Sequence, residues 1–155
     1  MIQYIVTISK ELVRILHAQA LESHPLEVAG VLLGLDNGNH FDIRYILVNT
    51  VYTKRTKNSV QSAYDLEDSW EENSPLDIIG EWHSHPNASP ILSRNCDLSD
   101  WEKRHNPGSD ENTMKEGALE WIVGVFPTKR KRFQFKDRCY LKIGPKIRVC
   151  KIRVY

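Results

Sequence analysis

Short apolar runs with a period of two alternate with polar breaks along most of this chain, and one early stretch carries a helical period instead. Residues 2–8 predict a first strand. Ser9 is a helix-capping type, and the stretch to about Glu22 sets Leu12, Ile15, Leu16 and Ala20 on one helical face. His24-Pro25 ends that helix, because the residue before a proline is pushed out of helical geometry. Residues 28–35 are aliphatic around Gly30 and Gly34 and predict a buried strand. Asp36-Asn37-Gly38-Asn39 then makes a hairpin turn, and residues 41–49 return as a strand.

Residues 52–60 are polar and basic, and residues 65–73 are acidic, fitting a short helix or a loop. Residues 77–85 read as a central strand ended by Pro86, followed by a loop over residues 87–92. Residues 93–105 permit a helix with Leu98 and Trp101 on one side. Residues 106–117 are long and polar and read as a mobile loop. Residues 120–126 predict another buried strand, with a turn at Pro127-Thr128. Residues 134–143 and 146–155 predict a last hairpin around Gly144-Pro145. Without repeats or an internal linker, residues 1–155 read as one domain. Strands and helices mix without strict βαβ alternation, which gives a mixed α/β sheet.

Composition narrows the class. At 155 residues, 41% hydrophobic and 26% charged, the chain can bury one core and is not wholly disordered. No apolar run approaches the roughly 18–20 residues that span a bilayer, so no membrane partner is expected. The N-terminus lacks a basic segment before a long apolar stretch and reads as a strand rather than a secretory signal. Cys96, Cys139 and Cys150 are odd in number and irregularly spaced, which points to a reduced, cytoplasmic protein.

The net charge of +1 hides a polarity: residues 129–155 carry eleven Lys/Arg against the single acid Asp137. Such a tail can mark a nucleic-acid surface. The alternation Lys146-Ile147-Arg148-Val149 and Lys151-Ile152-Arg153-Val154 instead reads as strands with bases outward and aliphatics inward. No aromatic stacking platform accompanies the charge, and nucleic acid is not the expected partner.

The chemistry-bearing residues begin with His83 and His85. Two apart on a strand, they face the same side about 7 Å apart along the chain and can converge on one cation. Two histidines, a carboxylate and a water form a catalytic zinc set. Pro86 ends the strand directly after the pair, which places it at a sheet edge facing a loop. A third ligand would come from downstream, where Cys96 and Asp97 both lie near the start of the predicted helix. Ser93 sits one turn earlier and shares a face with either. Glu27, an acid just before an apolar strand, is a candidate general base, and Glu81 is another.

His83-Ser84-His85-Pro86, with Ser93 after seven residues from His85 and an acid close behind, resembles the signature of the JAMM (MPN+, JAB-domain) zinc metallopeptidases. Glu27-Val28-Ala29-Gly30-Val31-Leu32-Leu33-Gly34 resembles the glutamate segment of the same family. Gly80-Glu81-Trp82 and Asp97-Leu98-Ser99-Asp100-Trp101 look like bacterial members associated with ubiquitin-like conjugation systems.

The resemblance implies a single MPN-type α/β domain. Its mixed central sheet would be flanked by helices in the α/β/α layering of cytidine deaminases. It also implies one zinc per chain held by His83, His85 and Asp97, with Glu27 as base and Ser93 beside the oxyanion. The expected substrate is an amide or isopeptide bond at the C-terminus of a ubiquitin-like protein or its conjugates. E1- and E2-like enzymes of the same system would be further partners. The chain departs from the family's Ser-x-x-Asp spacing, since Cys96 holds the acid's usual place and Asp97 follows it. The Asp97-Leu98 pair favours a one-residue insertion over a change of ligand.

Two other functions use the same frame. One is trimming the C-terminus of a sulfur-carrier protein, with identical catalytic residues. The other is a metal-free scaffold, although such relatives normally lack the ligands kept here. A zinc nucleoside deaminase would need His-x-Glu and Pro-Cys-x-x-Cys, and the chain has neither.

Overall fold

A computed structural model describes residues 1–50, 52–58, 60–62, 75–92, 118–143 and 146–155. The predicted acidic stretch 65–73, helix 93–105 and loop 106–117 lie outside these. The elements run in the order β1 (Ile5–Ile8), α1 (Lys10–Ser23), β2 (Ala29–Asp36), β3 (His40–Val48), β4 (Tyr52–Arg55), β5 (Val60–Ser62), β6 (Asp77–Pro86), β7 (Leu119–Pro127), β8 (Phe133–Ile143), β9 (Lys146–Val149) and β10 (Lys151–Val154).

Local chemistry accounts for the first half. The Ser9 hydroxyl accepts from the Leu12 N–H at 3.2 Å and so caps α1; such a cap contributes about 1 kcal/mol. Leu16 and Ala20 are buried and Leu12 and Val13 pack beside them, but Ile15 is 45% exposed. At 100° per residue, Val13 lies on the Leu12–Leu16–Ala20 stripe and Ile15 falls outside it, so the predicted face is shifted by one residue. β2 and β3 form the predicted hairpin. Gly38 takes a φ of +82° at its tip, and its N–H donates to Asp36 Oδ1 at 2.8 Å. β4, which pairs with β5 as a separate two-stranded sheet, arises from the stretch 52–60 read only as polar and basic.

The other strands form one sheet in the order β10-β1-β3-β2-β6-β7-β8-β9. β9 and β10 therefore stand at opposite ends of the order, yet only Cys150 separates them in the chain. The Cys150 N–H donates to Cys139 O and the Lys151 N–H to Tyr4 O, both at 2.9 Å. One continuous stretch thus leaves β8 and joins β1, and the two ends of the sheet meet at that seam. The sheet is rolled into a nearly closed barrel, with β9 and β10 at the two ends of its strand order. The predicted hairpin forms between β8 and β9, but its second strand does not run to residue 155 as expected: β10 pairs in parallel with β1 instead.

The basic tail also departs from expectation. Ile147, Val149 and Val154 are exposed and only Ile152 packs on the core, so alternation does not bury the aliphatics. Among the described strands β9 pairs with β8 alone, and its four residues are exposed on both faces. Among the described residues the sheet is rolled and the single helix α1 packs against β7, β3 and β6, while the predicted second helix, 93–105, lies outside them. That helix is not long and apolar enough to cross a membrane.

The main core gathers Val6 and Ile8 of β1, Leu16 and Ala20 of α1, and Trp82, Trp121, Val123 and Val125 of the central strands. Trp82 is fully buried and its indole N–H donates to Leu47 O at 3.0 Å, reaching over β2. Gly30 makes this crossing possible, because a Cβ there would collide with both the Leu47 carbonyl and the Trp82 ring nitrogen.

Candidate metal and catalytic site

β6 lies between β2 and β7, paired antiparallel with the first and parallel with the second. The histidine pair is therefore at the end of an interior strand, not at a sheet edge as the Pro86 stop suggested. Side chains alternate along β6. Trp82 and Ser84 face one way, and Glu81, His83 and His85 face the other. The register brings Glu120, Ile122 and Gly124 of β7 beside Glu81, His83 and His85. This second face carries its own small apolar cluster of Ile122, Tyr140 and Leu92.

His83 and His85 are each 8% exposed. Their Nε2 atoms stand 2.9 Å apart, with the rings tilted by 52°. Each Nδ1 turns the other way. His83 Nδ1–H donates to Glu120 Oε1 at 2.6 Å, and His85 Nδ1–H donates to Ser89 O at 2.9 Å. Neither acceptor carries a proton to give when the carboxylate is ionised, so both rings hold their hydrogen on Nδ1. Two Nε2 lone pairs then face a common point. They repel unless a proton or a cation lies between them, and two nitrogens on one tetrahedral zinc stand roughly 3.3 Å apart. The donor set therefore fits a cation with little adjustment.

Glu27 is 7% exposed and sits at the entry to β2. Ala29 is paired with His83, and the Ser84 N–H donates to Val28 O at 2.9 Å. Continuing that antiparallel count sets Glu27 across from His85, on the histidine face. Two further bonds fix its backbone: the Glu27 N–H donates to Thr56 O, and Arg55 Nε–H donates to Glu27 O, each at 2.8 Å. The β4 strand, whose Arg55 also lies over the Tyr52 ring, thereby braces the acid. Glu81 shares the face but lies across from Val31, further from the strand end. Glu27 is the carboxylate placed beside the histidine that ends the strand.

The loop after β6 is pinned on this face. The Asn87 N–H donates to Val125 O at 2.7 Å, and the Tyr140 hydroxyl donates to Pro90 O at 3.1 Å. Gly124 lets the loop close down, since a Cβ there would lie 2.8 Å from Ala88 O and 3.1 Å from Pro90 Cδ. These contacts seat the Ser89 carbonyl that orients His85. The described chain reaches Leu92, which packs with Ile122 and Tyr140.

Ser93, Cys96 and Asp97 lie outside the described residues. Among the described residues no group of three His, Cys, Asp or Glu side chains forms a metal cluster. The structure thus brings together Glu27, His83 and His85 of the predicted site. It adds Glu120, the Ser89 carbonyl and Ser84, none of which the sequence had singled out. An acid within the apolar run 118–125 was the available signal for Glu120, the same signal that marked Glu27.

Comparisons with known proteins agree with this frame. The solution structure of protein DSY2949 from Desulfitobacterium hafniense superposes with a TM-score of 0.68 over 97% of this chain and 93% of that one. At 14% identity the likeness bears on the fold alone. A protein of Pseudomonas aeruginosa (strain BWHPSA011 / Pa011) named CD-NTase/cGAS isopeptidase is 31% identical over 114 residues, covering 70% of this chain and 68% of that protein. Residues 9–136, which hold α1, Glu27, both histidines and Glu120, match the family described as prokaryotic homologs of the JAB domain, and the chain belongs to that family.

Proposed function

We propose that this chain is a zinc-dependent isopeptidase that cleaves the bond between the C-terminus of a ubiquitin-like protein and its target. The observation that carries the reading is the buried pair His83 and His85, whose Nε2 atoms converge at 2.9 Å while both Nδ1 atoms are held from behind. His83, His85 and Asp97 would hold the metal. When bound, zinc supplies Lewis acidity to the attacking water and to the scissile carbonyl.

The chain's own groups do the remaining work. The Glu27 carboxylate takes a proton from the attacking water and delivers it to the departing nitrogen. Ser93 donates a hydrogen bond to the oxygen that gains charge, a contribution of roughly 3–4 kcal/mol in such sites. The burial of both histidines and of Glu27 keeps bulk water from competing for these groups. The relative named as an isopeptidase favours a side-chain-linked conjugate over the trimming of a sulfur carrier, with a CD-NTase as a candidate for the modified target.

The test uses purified full chain and an isopeptide-linked fusion of a folded ubiquitin-like protein, with a short generic peptide as control. Wild-type protein should carry about one zinc per chain and cleave the fusion far faster than the peptide. Chelation should stop turnover and zinc should restore it. Glu27→Gln should keep the zinc and lose at least about 100-fold in kcat, since a general base is worth roughly 10²–10⁴. Protein that takes up no zinc, or that cleaves equally well after chelation, overturns the reading.

A further inference from the structure

We propose that Glu120 is a positioning residue for His83. Its carboxylate accepts the Nδ1 proton, locks the ring in one tautomer and aims the Nε2 lone pair at the metal position. The inference rests on the metal reading of the site given above.

Three observations lead to it. First, the 2.6 Å contact between His83 Nδ1 and Glu120 Oε1 is shorter than an ordinary N–H···O bond, the direction in which charge-assisted bonds depart. Second, both side chains are largely withdrawn from solvent, at 10% and 13% exposure. A carboxylate placed there within the apolar strand β7 needs a partner to offset its desolvation. Third, the geometry divides the work of the ring. Glu120 occupies the nitrogen that faces away from His85, so Nε2 is the nitrogen turned toward His85, and Glu120 is not itself placed to be a ligand through that contact.

The two histidines are held by different chemistry. His85 leans on a neutral carbonyl, Ser89 O, whereas His83 leans on a formal negative charge. A carboxylate behind an imidazole fixes the ring's tautomer and orientation as a ligand. The loss of Glu120 therefore unfixes the His83 ring and weakens the metal site without removing a ligand. The bond also crosses from β6 to β7, joining positions 37 residues apart. A plain cross-strand staple would make the same contact, and the experiment separates the two roles.

Glu120→Gln and Glu120→Ala are compared with wild type in three measurements. The His83 tautomer of the metal-free protein is read from nitrogen chemical shifts of the ring. Zinc affinity is read by competition with a chelator. Thermal unfolding of the metal-free protein reports on stability. In wild type His83 should be protonated on Nδ1. Glu120→Gln, which can still accept through its amide oxygen, should keep that tautomer and bind zinc about 10-fold more weakly, the low end of the range for such partners. Glu120→Ala should show mixed tautomers and bind zinc about 10–100-fold more weakly.

Unchanged affinity and tautomer in both variants, with only a lower melting temperature, would overturn the proposal in favour of a staple. If Glu120→Ala fails to fold, the Gln variant decides: affinity equal to wild type overturns the proposal. Wild-type protein that binds no zinc would instead overturn the metal reading. The tautomer comparison would then still report whether Glu120 holds the ring.

Discussion

Ser84 and Val28 are tied by a reciprocal pair of hydrogen bonds, Ser84 N–H to Val28 O at 2.9 Å and Val28 N–H to Ser84 Oγ at 3.0 Å. Ser84 stands between the two histidines and Val28 directly follows Glu27, so this clamp, with the Thr56 and Arg55 bonds to the Glu27 backbone, holds the acid near the pair. The serine is fully buried, and it points away from the histidine face. Its role is to stop β2 from fraying at the point where Glu27 must be held.

Ser84→Ala leaves the Val28 N–H buried without that acceptor, a loss of about 1–3 kcal/mol. Urea unfolding should show this loss, and kcat should fall while zinc content stays near wild type, because both imidazoles keep their own partners. Unchanged stability together with full turnover would show that the clamp is not needed.

Gly124→Ala tests the loop that orients His85. The added methyl would meet Ala88 O at 2.8 Å and Phe126 Cε2 at 3.0 Å, so the loop must lift. Ser89 O then moves off His85 Nδ1, and zinc affinity should fall by about 10–100-fold, as for other partners that orient a ligand. Circular dichroism should remain that of the wild type. Affinity equal to wild type would mean that the loop absorbs the methyl without disturbing Ser89.

How much of this was legible in the sequence depends on the range of the interaction. Ser9, Gly38 and the His83-x-His85 pair act over a few residues, and the helix start, hairpin tip and shared face follow from them. The crossing at Cys150 was not legible, because it depends on Tyr4 and Cys139 meeting one short segment from opposite sides. The inward reading of Ile147 and Val149 failed for a related reason: alternation names two faces but does not say whether anything covers either. Glu120 shows the same limit within the site, since its partner His83 is brought near only by the parallel β6–β7 register. The His83-x-His85 pair is legible in the sequence, but its place inside the sheet depends on β7 lying on the far side of β6.

Cys139 offers a pH-dependent test of the seam. Burial, with the neighbouring Cys150 adding to it, pushes the Cys139 thiol well above the ordinary value, while the hydrogen bond from Cys139 lowers that of Cys150. A group whose folded value is raised favours the folded state fully below its unfolded value, about 8.5 for a thiol. That contribution is lost as pH rises from there through the folded value. Wild-type stability in urea should therefore fall more steeply above about pH 8.5 than that of Cys139→Ala, at up to about 1.4 kcal/mol per pH unit. Parallel pH profiles for the two proteins would mean that the seam opens before the thiol matters.

The last prediction separates Asp97 from Cys96 as third ligand. Cys96 stands at the spacing from Ser93 that the family gives its acid, and a thiolate binds zinc strongly. A carboxylate, however, leaves the metal more electron-poor, which suits a peptidase that must acidify water and polarise a carbonyl. The extra residue can be absorbed by a tightened first turn if a helix begins there, and four residues from Ser93 is still one helical face. Asp97→Ala should lose most of its zinc and lower turnover by more than about 100-fold, beyond the range of a residue that only orients a ligand. Cys96→Ala should keep both. Zinc content by elemental analysis and kcat on the isopeptide fusion read the two variants side by side. A zinc-free Cys96→Ala beside an active Asp97→Ala would reverse the assignment and make the site His-His-Cys.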